Sequence, residues 1–312
     1  MIDGFGWLSW LGATAPAIAA LRSRDPGTVG PAVAGSWYPA GRAALERAVD
    51  DLLARAEPGP QPPGRVLALI EPHAGYVYSG RVAARGFQDV RDRAYSRVVV
   101  LGPSHYEAFR GAAVPDAGAY RTPLGDVALD SEALGALARH ASFAVSNRPF
   151  VPEHCLEAEL PFLQRCLRPG WRLVPVLLGS GTRGSLAVEI ADALRAWVDR
   201  STLIVVSSDF THYGPRFGYV PFTADVPARV RELDMGAVRH IEALDADGFE
   251  GYVGETGATV CGRDAISVLL RLVPRGVEGR LTAYDTSGNL TGDWEHSVSY
   301  ATLTFREQVA PS

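Results

Sequence analysis

The sequence contains no lysine, since all 30 of its basic residues are arginine. A chain without lysine has no side-chain amine that can form a Schiff base with a carbonyl substrate, so this kind of covalent catalysis is excluded. The formal net charge is −5, which provides no broad cationic surface for a nucleic-acid backbone. We therefore expect neither a lysine-dependent enzyme nor a nucleic-acid partner.

Cysteine and long apolar runs are also scarce. The three cysteines, Cys155, Cys166 and Cys261, are an odd number and form no close CxxC pair, which predicts reduced thiols. No segment approaches the roughly 18 uninterrupted apolar residues that a membrane span needs. The apolar start of the chain lacks the basic residues of a signal peptide. These absences predict a cytoplasmic protein with no membrane partner.

What remains is the composition of a folded globular protein, with 47% hydrophobic and 21% charged residues among 312. From residue 65 onward, apolar runs alternate with amphipathic stretches, as in strands joined by crossover helices. We predict an α/β fold with buried parallel strands at 66–70, 98–101, 173–178 and 203–206. Two later strands are expected at 281–284 and 298–305, the second at an antiparallel edge because its residues alternate in polarity.

The chain is expected to form one domain. Residues 1–30 are predicted to be an N-terminal extension, and residues 31–312 a single α/β domain. The segment 57–64 holds four prolines and two glycines, which favours a surface connection rather than a boundary between domains.

Three histidines each follow a predicted strand: His73, His105 and His212. The carboxyl ends of parallel strands lie along one edge of a sheet, and ligand sites form there. A single histidine in such a place most simply caps a loop, but repetition at three strands favours a shared site. Three of the four other histidines lack this context and are assigned to helix surfaces or loops, namely His140, His240 and His296.

A metal ion is the simplest reason for imidazoles to converge. Two or three neutral imidazoles and one anionic donor are enough to hold a divalent ion of the first transition row. Cys261 is the best further donor, because it precedes a predicted helix whose dipole favours a thiolate. Alternatively, Cys261 is a small buried hydrophobic residue.

Two further segments carry polar candidates. Glu153 and His154, with Glu157 three residues beyond His154, either line the site or begin a solvated helix. Asp209 lies three residues before His212, and it either orients an imidazole or caps the following turn.

Two other kinds of site compete with this interpretation. Residues 179–184 spell GxGxxG between a strand and a helix, but they follow a middle strand, and we interpret them as a turn rather than a nucleotide site. Ser207 or Ser208 with His212 would make a serine hydrolase, but no GxSxG elbow is present.

Taken together, the motifs resemble those of the Memo family, and specifically its bacterial and archaeal branch, the AmmeMemoRadiSam system protein B. The resemblance leaves only the first 30 residues outside. It rests on PAVAGSWY at 31–38, PHAGYVYSG at 72–80, GPSH at 102–105, RTPLG at 121–125, EH at 153–154, SSDFTH at 207–212 and CGR at 261–263.

The resemblance implies a three-layer α/β/α domain with a mixed, mainly parallel sheet, like that of the LigB-type class III non-haem iron dioxygenases. It assigns His73, His105 and Cys261 to a divalent metal, for which Fe²⁺ is expected and copper or zinc would also suit the softer thiolate. His212 matches the acid or base of the dioxygenases, with Asp209 beside it.

The implied function is a metal-dependent, dioxygenase-like oxidoreductase. Trp37 and Tyr78 match vestibule residues that, with Glu153 and His154, would contact a small-molecule or peptide ligand. The branch name implies association with radical-SAM and AMMECR-like proteins. The dioxygenases have a carboxylate where this chain has Cys261, so the same resemblance also implies an alternative, a non-catalytic peptide- or protein-binding module that uses this vestibule.

Overall fold

The computed structural model describes residues 27–56 and 64–308. Most of the expected N-terminal extension and of the expected connection at 57–64 therefore lies outside the described residues. The strands are β1 (Thr28–Val29), β2 (Val66–Glu71), β3 (Arg97–Pro103), β4 (Ala112–Val114), β5 (Ala119–Thr122), β6 (Gly125–Ala128), β7 (Phe143–Val145), β8 (Arg172–Leu178), β9 (Thr202–Ser207), β10 (His212–Tyr213), β11 (Val277–Thr286) and β12 (Ser297–Glu307).

The helices connect these strands and cover both faces of the main sheet. They are α1 (Arg42–Arg55), α2 (Tyr76–Phe87), α3 (Ser131–Leu137), α4 (Cys155–Cys166), α5 (Ser185–Arg195), α6 (Val226–Glu242), α7 (Ala246–Thr256), α8 (Arg263–Leu272) and α9 (Ser287–Thr291). Helices α1, α2 and α4 pack together on one face, and α5, α6, α7 and α8 form the layer on the other. Among the described residues, no helix has both the length and the apolar character for crossing a membrane.

The main sheet has the strand order β10-β12-β2-β9-β3-β8-β4-β7, and β11 pairs with β12. Its centre is parallel, from β2 through β9 and β3 to β8. Strand β12 is antiparallel to β2, and β4 is antiparallel to β8. The predicted three-layer α/β class with a mixed sheet is confirmed, and all four predicted central strands are present.

The second late strand, β12, is antiparallel as predicted, but the prediction that it forms an edge is wrong. Strand β12 lies between β2 and β11. Its alternating polar residues face buried acids rather than water, because Thr302 donates a hydrogen bond to Glu71 and Thr304 to Asp89. A period-two pattern therefore marks a buried polar face here.

The N-terminal boundary is a separate matter. Strand β1 pairs in parallel with β5, through Thr28 with Ala119 and Val29 with Tyr120. Thr28 and Val29, which precede the predicted boundary at residue 31, thus belong to a small three-stranded sheet, β1-β5-β6. The division into an extension and a domain stays a prediction.

The core strands place the site. All side chains of β2 and β9 are buried, as are all but the first of β3 and β8, as expected for parallel strands covered on both faces. Gly102 near the end of β3 allows α4 to begin very close to the sheet, because a side chain there would collide with the sulfur of Cys155. The residues after β2, β3 and β9 therefore lie near the start of α4.

Candidate metal centre

Three imidazoles meet at the carboxyl edge of the sheet, where β2 and β3 end and α4 begins. The ring centroids are 5.2 Å apart for His73 and His105, 5.4 Å for His73 and His154, and 4.7 Å for His105 and His154. Potential ligand atoms of these three side chains lie within 4.8 Å of one another. The structure thus brings together two predicted metal ligands and His154, which the sequence placed only as a residue lining the site.

Glu153 positions two of these imidazoles. Its carboxylate accepts hydrogen bonds from the His105 backbone N–H at 2.7 Å and from the His105 ring nitrogen Nδ1 at 2.9 Å. It also accepts the backbone N–H groups of His154 and Cys155. Burial by itself raises the pKa of Glu153, but the bonds from His105 outweigh it and bring the pKa to about 2.

These contacts give Glu153 a role different from the substrate contact expected of it. The side chain is completely buried and all the hydrogen bonds above come from the protein itself. Because a carboxylate only accepts, the His105 ring carries its proton on Nδ1, which leaves Nε2 free for a ligand.

Buried partners contact both the backbone and the ring of His73. Its backbone N–H donates to the Asp209 carboxylate at 3.0 Å, and its ring nitrogen Nδ1 lies 2.8 Å from the Ser207 hydroxyl. The opposite ring nitrogen, Nε2, lies 3.4 Å from the sulfur of Cys261. Burial lowers the pKa of His73 well below its usual range, and the neighbouring imidazoles lower it further. His73 is therefore neutral, as a metal ligand must be.

Cys261 lies beside His73 but belongs to neither group of three possible ligands within 4.8 Å found among the described residues. Its sulfur accepts the Asp209 backbone N–H at 3.2 Å. Burial and the Asp209 carboxylate raise the pKa of the thiol, which opposes the effect expected of the helix dipole. A divalent ion would have to displace the thiol proton, as metals do when they bind cysteine.

His154 has a neutral ring in an aromatic setting. Its ring centroid lies 4.2 Å from that of Trp37, and its Nδ1 lies 3.3 Å from the Tyr106 hydroxyl. Burial and the nearby His105 lower the pKa of His154 to about 4, against the opposing effect of Glu153. In the sequence, the only signal for Tyr106 is its place directly after His105.

His212 follows β9, as predicted, and its ring orientation is fixed. Nδ1 lies 2.9 Å from the Phe210 carbonyl oxygen and 3.1 Å from that of Thr259. Carbonyls only accept hydrogen bonds, so the ring proton is on Nδ1 and Nε2 is free to accept a proton. A charge on His212 would lower the pKa of His73, so the two rings are close enough to interact electrostatically.

Asp209 acts on the backbone rather than on an imidazole. Its carboxylate accepts the His73 backbone N–H, and its own backbone N–H contacts Cys261. Burial raises the pKa of Asp209 to about 6, although His212 and the bond from His73 act in the other direction. Asp209 thus ties the loop after β2 to the start of α8.

Several exposed apolar side chains lie close in sequence to residues of the site. Tyr78, in the first turn of α2, is 43% exposed, and its neighbour Val77 is 82% exposed. Tyr106 and Val151, which lie beside His105 and Glu153 in sequence, are 55% and 68% exposed. Trp37 contacts the imidazole cluster directly through His154, whereas Tyr78 is partly exposed at the start of α2.

The two competing kinds of site are not supported. In the loop 179–184, the Gly181 N–H donates to the Asp264 carboxylate at 2.8 Å and the Gly184 N–H contacts Glu250 at 3.2 Å. Carboxylates thus occupy the amides that would bind a phosphate. Ser207 and Ser208 are both completely buried, which does not suit a serine nucleophile.

The donor set fits a metal ion. Neutral imidazoles and a carboxylate or thiol within reach are the ligands of divalent first-row ions, and buried partners fix the Nδ1 side of His105, as in known metal sites. The fold and the imidazole cluster therefore define a three-layer α/β protein with a candidate divalent-metal centre at the carboxyl edge of its sheet.

Comparison with known proteins identifies the family. The chain belongs to the Memo family, because the model of Memo-like proteins matches residues 30–304. It is 36% identical over 284 residues to a protein memo-1 homolog of Caenorhabditis elegans, covering 86% of this chain and 79% of that one. It is 33% identical over 293 residues to a MEMO1 family protein of Thermococcus onnurineus, covering 89% and 99%.

The fold is shared with more distant proteins. A crystal structure of an uncharacterized protein from Escherichia coli K12 superposes with a TM-score of 0.50 at 12% identity, covering 77% of this chain and 99% of that chain. At this level of identity the likeness concerns the fold alone.

Proposed function

We propose that this Memo-family protein is a metal-dependent, dioxygenase-like oxidoreductase that binds Fe²⁺ through His73 and His105. The observation that carries the proposal is the convergence of His73, His105 and His154, whose ligand atoms lie within 4.8 Å of one another. Cys261, 3.4 Å from His73, and His154 are the two candidates for the third ligand. Copper or zinc would suit the same donors.

When bound, such an ion supplies Lewis-acid and redox chemistry. The residues of the chain have other tasks. His212, whose Nε2 is free, takes a proton from the substrate and returns it, which is typically worth about 10² to 10⁴ in rate. Trp37 and Tyr106 flank His154 and orient an apolar or aromatic substrate over the imidazoles.

Metal analysis of protein purified without oxygen tests this function. We expect one metal ion per chain in the wild type and loss of that ion in His73→Ala and His105→Ala. His240 lies in the last turn of α6 and is not among the candidate ligands. His240→Ala is therefore the matched control and should keep its metal. The absence of stoichiometric metal in the wild type, or unchanged occupancy in the first two variants, would refute the proposal.

The third ligand can be identified in the same experiment. Cys261→Ser and His154→Ala each remove one candidate, and electron paramagnetic resonance of protein loaded with Cu²⁺, which suits the same donors, distinguishes sulfur from nitrogen coordination. The proposal expects the larger loss of affinity for Cys261→Ser, because a thiolate supplies the negative charge that neutral imidazoles lack.

Exposed apolar side chains support a second function, a peptide- or protein-binding module. Four exposed apolar side chains lie close in sequence to residues of the imidazole cluster, namely Val77, Tyr78, Tyr106 and Val151, and exposed apolar groups are typical of protein-interaction sites. A peptide whose affinity is unaffected by chelators but falls for Trp37→Ala would favour this function over chemistry.

Association with radical-SAM and AMMECR-like proteins is a further part of the proposal. Co-purification of the untagged proteins with this chain after joint expression would support it, and separate elution at micromolar concentration would contradict it.

A further inference from the structure

Ser207, at the end of β9, has three polar neighbours at hydrogen-bond distance. Its Oγ lies 2.7 Å from Oε1 of Glu159, 2.8 Å from the Cys155 carbonyl oxygen and 2.8 Å from Nδ1 of His73. Ser207 is completely buried and Glu159 is 1% exposed. Each of these contacts therefore needs a proton supplied by the protein.

Counting protons assigns them. A hydroxyl carries one proton and accepts up to two hydrogen bonds, whereas a carbonyl supplies no proton. The contact between Ser207 and the Cys155 carbonyl must therefore use the Ser207 proton. The two remaining contacts need a proton from Glu159 and a proton from Nδ1 of His73.

We propose that Glu159 is a neutral carboxylic acid that donates to Ser207, and that Ser207 in turn accepts the Nδ1–H of His73. Glu159 and Ser207 are positioning residues in this arrangement. They hold His73 in the tautomer whose bare Nε2 points toward Cys261. With an ionised Glu159, the Ser207 proton would turn to the carboxylate and the Cys155 carbonyl would face Ser207 without a hydrogen atom between them.

The surroundings of Glu159 favour the neutral form. Burial and the nearby Asp209 carboxylate raise the pKa of Glu159, and only the contact with Ser207 acts in the other direction. Glu153, on the turn preceding the same helix, is the opposite case, because four N–H groups donate to its carboxylate. The ionised acid, Glu153, thus lies just before α4, and the neutral acid, Glu159, lies within the helix.

The role of this arrangement in metal binding rests on the proposed function, but the protonation state does not. A neutral acid behind His73 leaves the negative charge of the metal-free site to Glu153 and Asp209, and Cys261 adds a charge only when a metal displaces its proton. Nε2 of His73 is then available without prior loss of a proton.

Infrared difference spectroscopy of the metal-free protein at neutral pH tests the protonation state. The spectrum of wild type minus Glu159→Gln should lose the carbonyl stretch of a carboxylic acid. Glu132→Gln, at an exposed residue in the first turn of α3, should lose a carboxylate band instead. Loss of a carboxylate band in Glu159→Gln would overturn the proposal.

The His73 tautomer is tested separately, by nitrogen-15 NMR of the imidazoles in the metal-free protein. We expect Nδ1–H in the wild type and in Glu159→Gln, whose amide N–H replaces the acid as donor to Ser207. Ser207→Ala should show Nε2–H, because Nδ1 loses its acceptor. Ser208→Ala, which removes a neighbouring hydroxyl bonded to the Asp209 carbonyl and Gly262 N–H, is the control.

An Nε2–H tautomer in the wild type, or no change in Ser207→Ala, would contradict the proposed support for His73. Both spectra are recorded without metal, so they decide this inference even if the chain proves to bind no ion. Conversely, with the metal-free results as expected, a failure to load metal would count only against the proposed function.

Discussion

Replacing Glu153 with glutamine is expected to loosen the site and to destabilise the whole domain. The substitution keeps the size of the side chain but removes its charge and turns one acceptor oxygen into an NH₂ donor. In the wild type that carboxylate accepts four N–H groups, at 2.7 Å and 2.9 Å from His105, 2.9 Å from His154 and 3.1 Å from Cys155.

The magnitude follows from these four contacts. The new NH₂ faces at least one buried N–H, and leaving such a donor unpaired costs about 1–3 kcal/mol. The bonds that remain lose the charged acceptor, which is worth roughly 1 kcal/mol each. The free energy of unfolding should therefore fall by on the order of 4 kcal/mol, which corresponds to a Tm lower by on the order of 10 °C for a domain of this size.

Circular dichroism melting of metal-free Glu153→Gln and of the surface control Glu132→Gln measures this effect. The control should melt within about 1 °C of the wild type, since isolated surface changes are usually worth less than about 0.5 kcal/mol. If Glu153→Gln melts with the control, the carboxylate does not hold the loop after β3 and the description of the site is wrong. In metal-loaded protein, loss of such a supporting partner should also weaken binding about 10- to 100-fold.

Other regions give further predictions. Burial alone would raise the pKa of Asp89, but the bond from Arg85 and other contacts lower it. The Asp89 carboxylate therefore stabilises the fold at pH values above its pKa in the unfolded chain, and this stabilisation is lost as the pH falls through its pKa in the folded chain. Asp89→Asn should lower the Tm at pH 7 and make the Tm of the protein less dependent on pH in acid. Phe162→Ala should cost about 3–5 kcal/mol, because Phe162 is buried and stacks on Phe87 at 5.0 Å; an unchanged denaturation midpoint would count against this. Adenine and nicotinamide nucleotides should leave the intrinsic fluorescence unchanged, since carboxylates already bind the amides of the loop 179–184.

Periodicity was enough to predict the parallel strands and the meeting of His73 with His105. Both depend on a local pattern, an apolar run followed directly by a histidine, and on the general geometry of parallel sheets. The role of Glu153 was beyond such reasoning, because its acceptor function depends on a loop 48 residues earlier in the chain. The same holds for Ser207 and Glu159, which are 48 residues apart.

The wrong edge assignment of β12 and the raised pKa of Cys261 have a common physical cause. The thiolate expected at Cys261 rested on the helix that follows it, whereas its protonation is governed by burial and by Asp209, 52 residues away. The edge expected at β12 rested on alternation, whereas its polar side chains bind buried acids such as Glu71. In both cases the local sequence pattern is present in the structure, but the residue that decides its effect is distant in sequence.

The candidate ligands are fastened in two separate pairs. Glu153 anchors His105, after β3, and His154, before α4, while Asp209 anchors His73, after β2, and Cys261, before α8. Ser207 bridges the pairs, since it contacts His73 on one side and α4 on the other. A ligand too large for the space between the two pairs would therefore have to break the hydrogen bonds of Ser207. The contacts within each pair would remain intact.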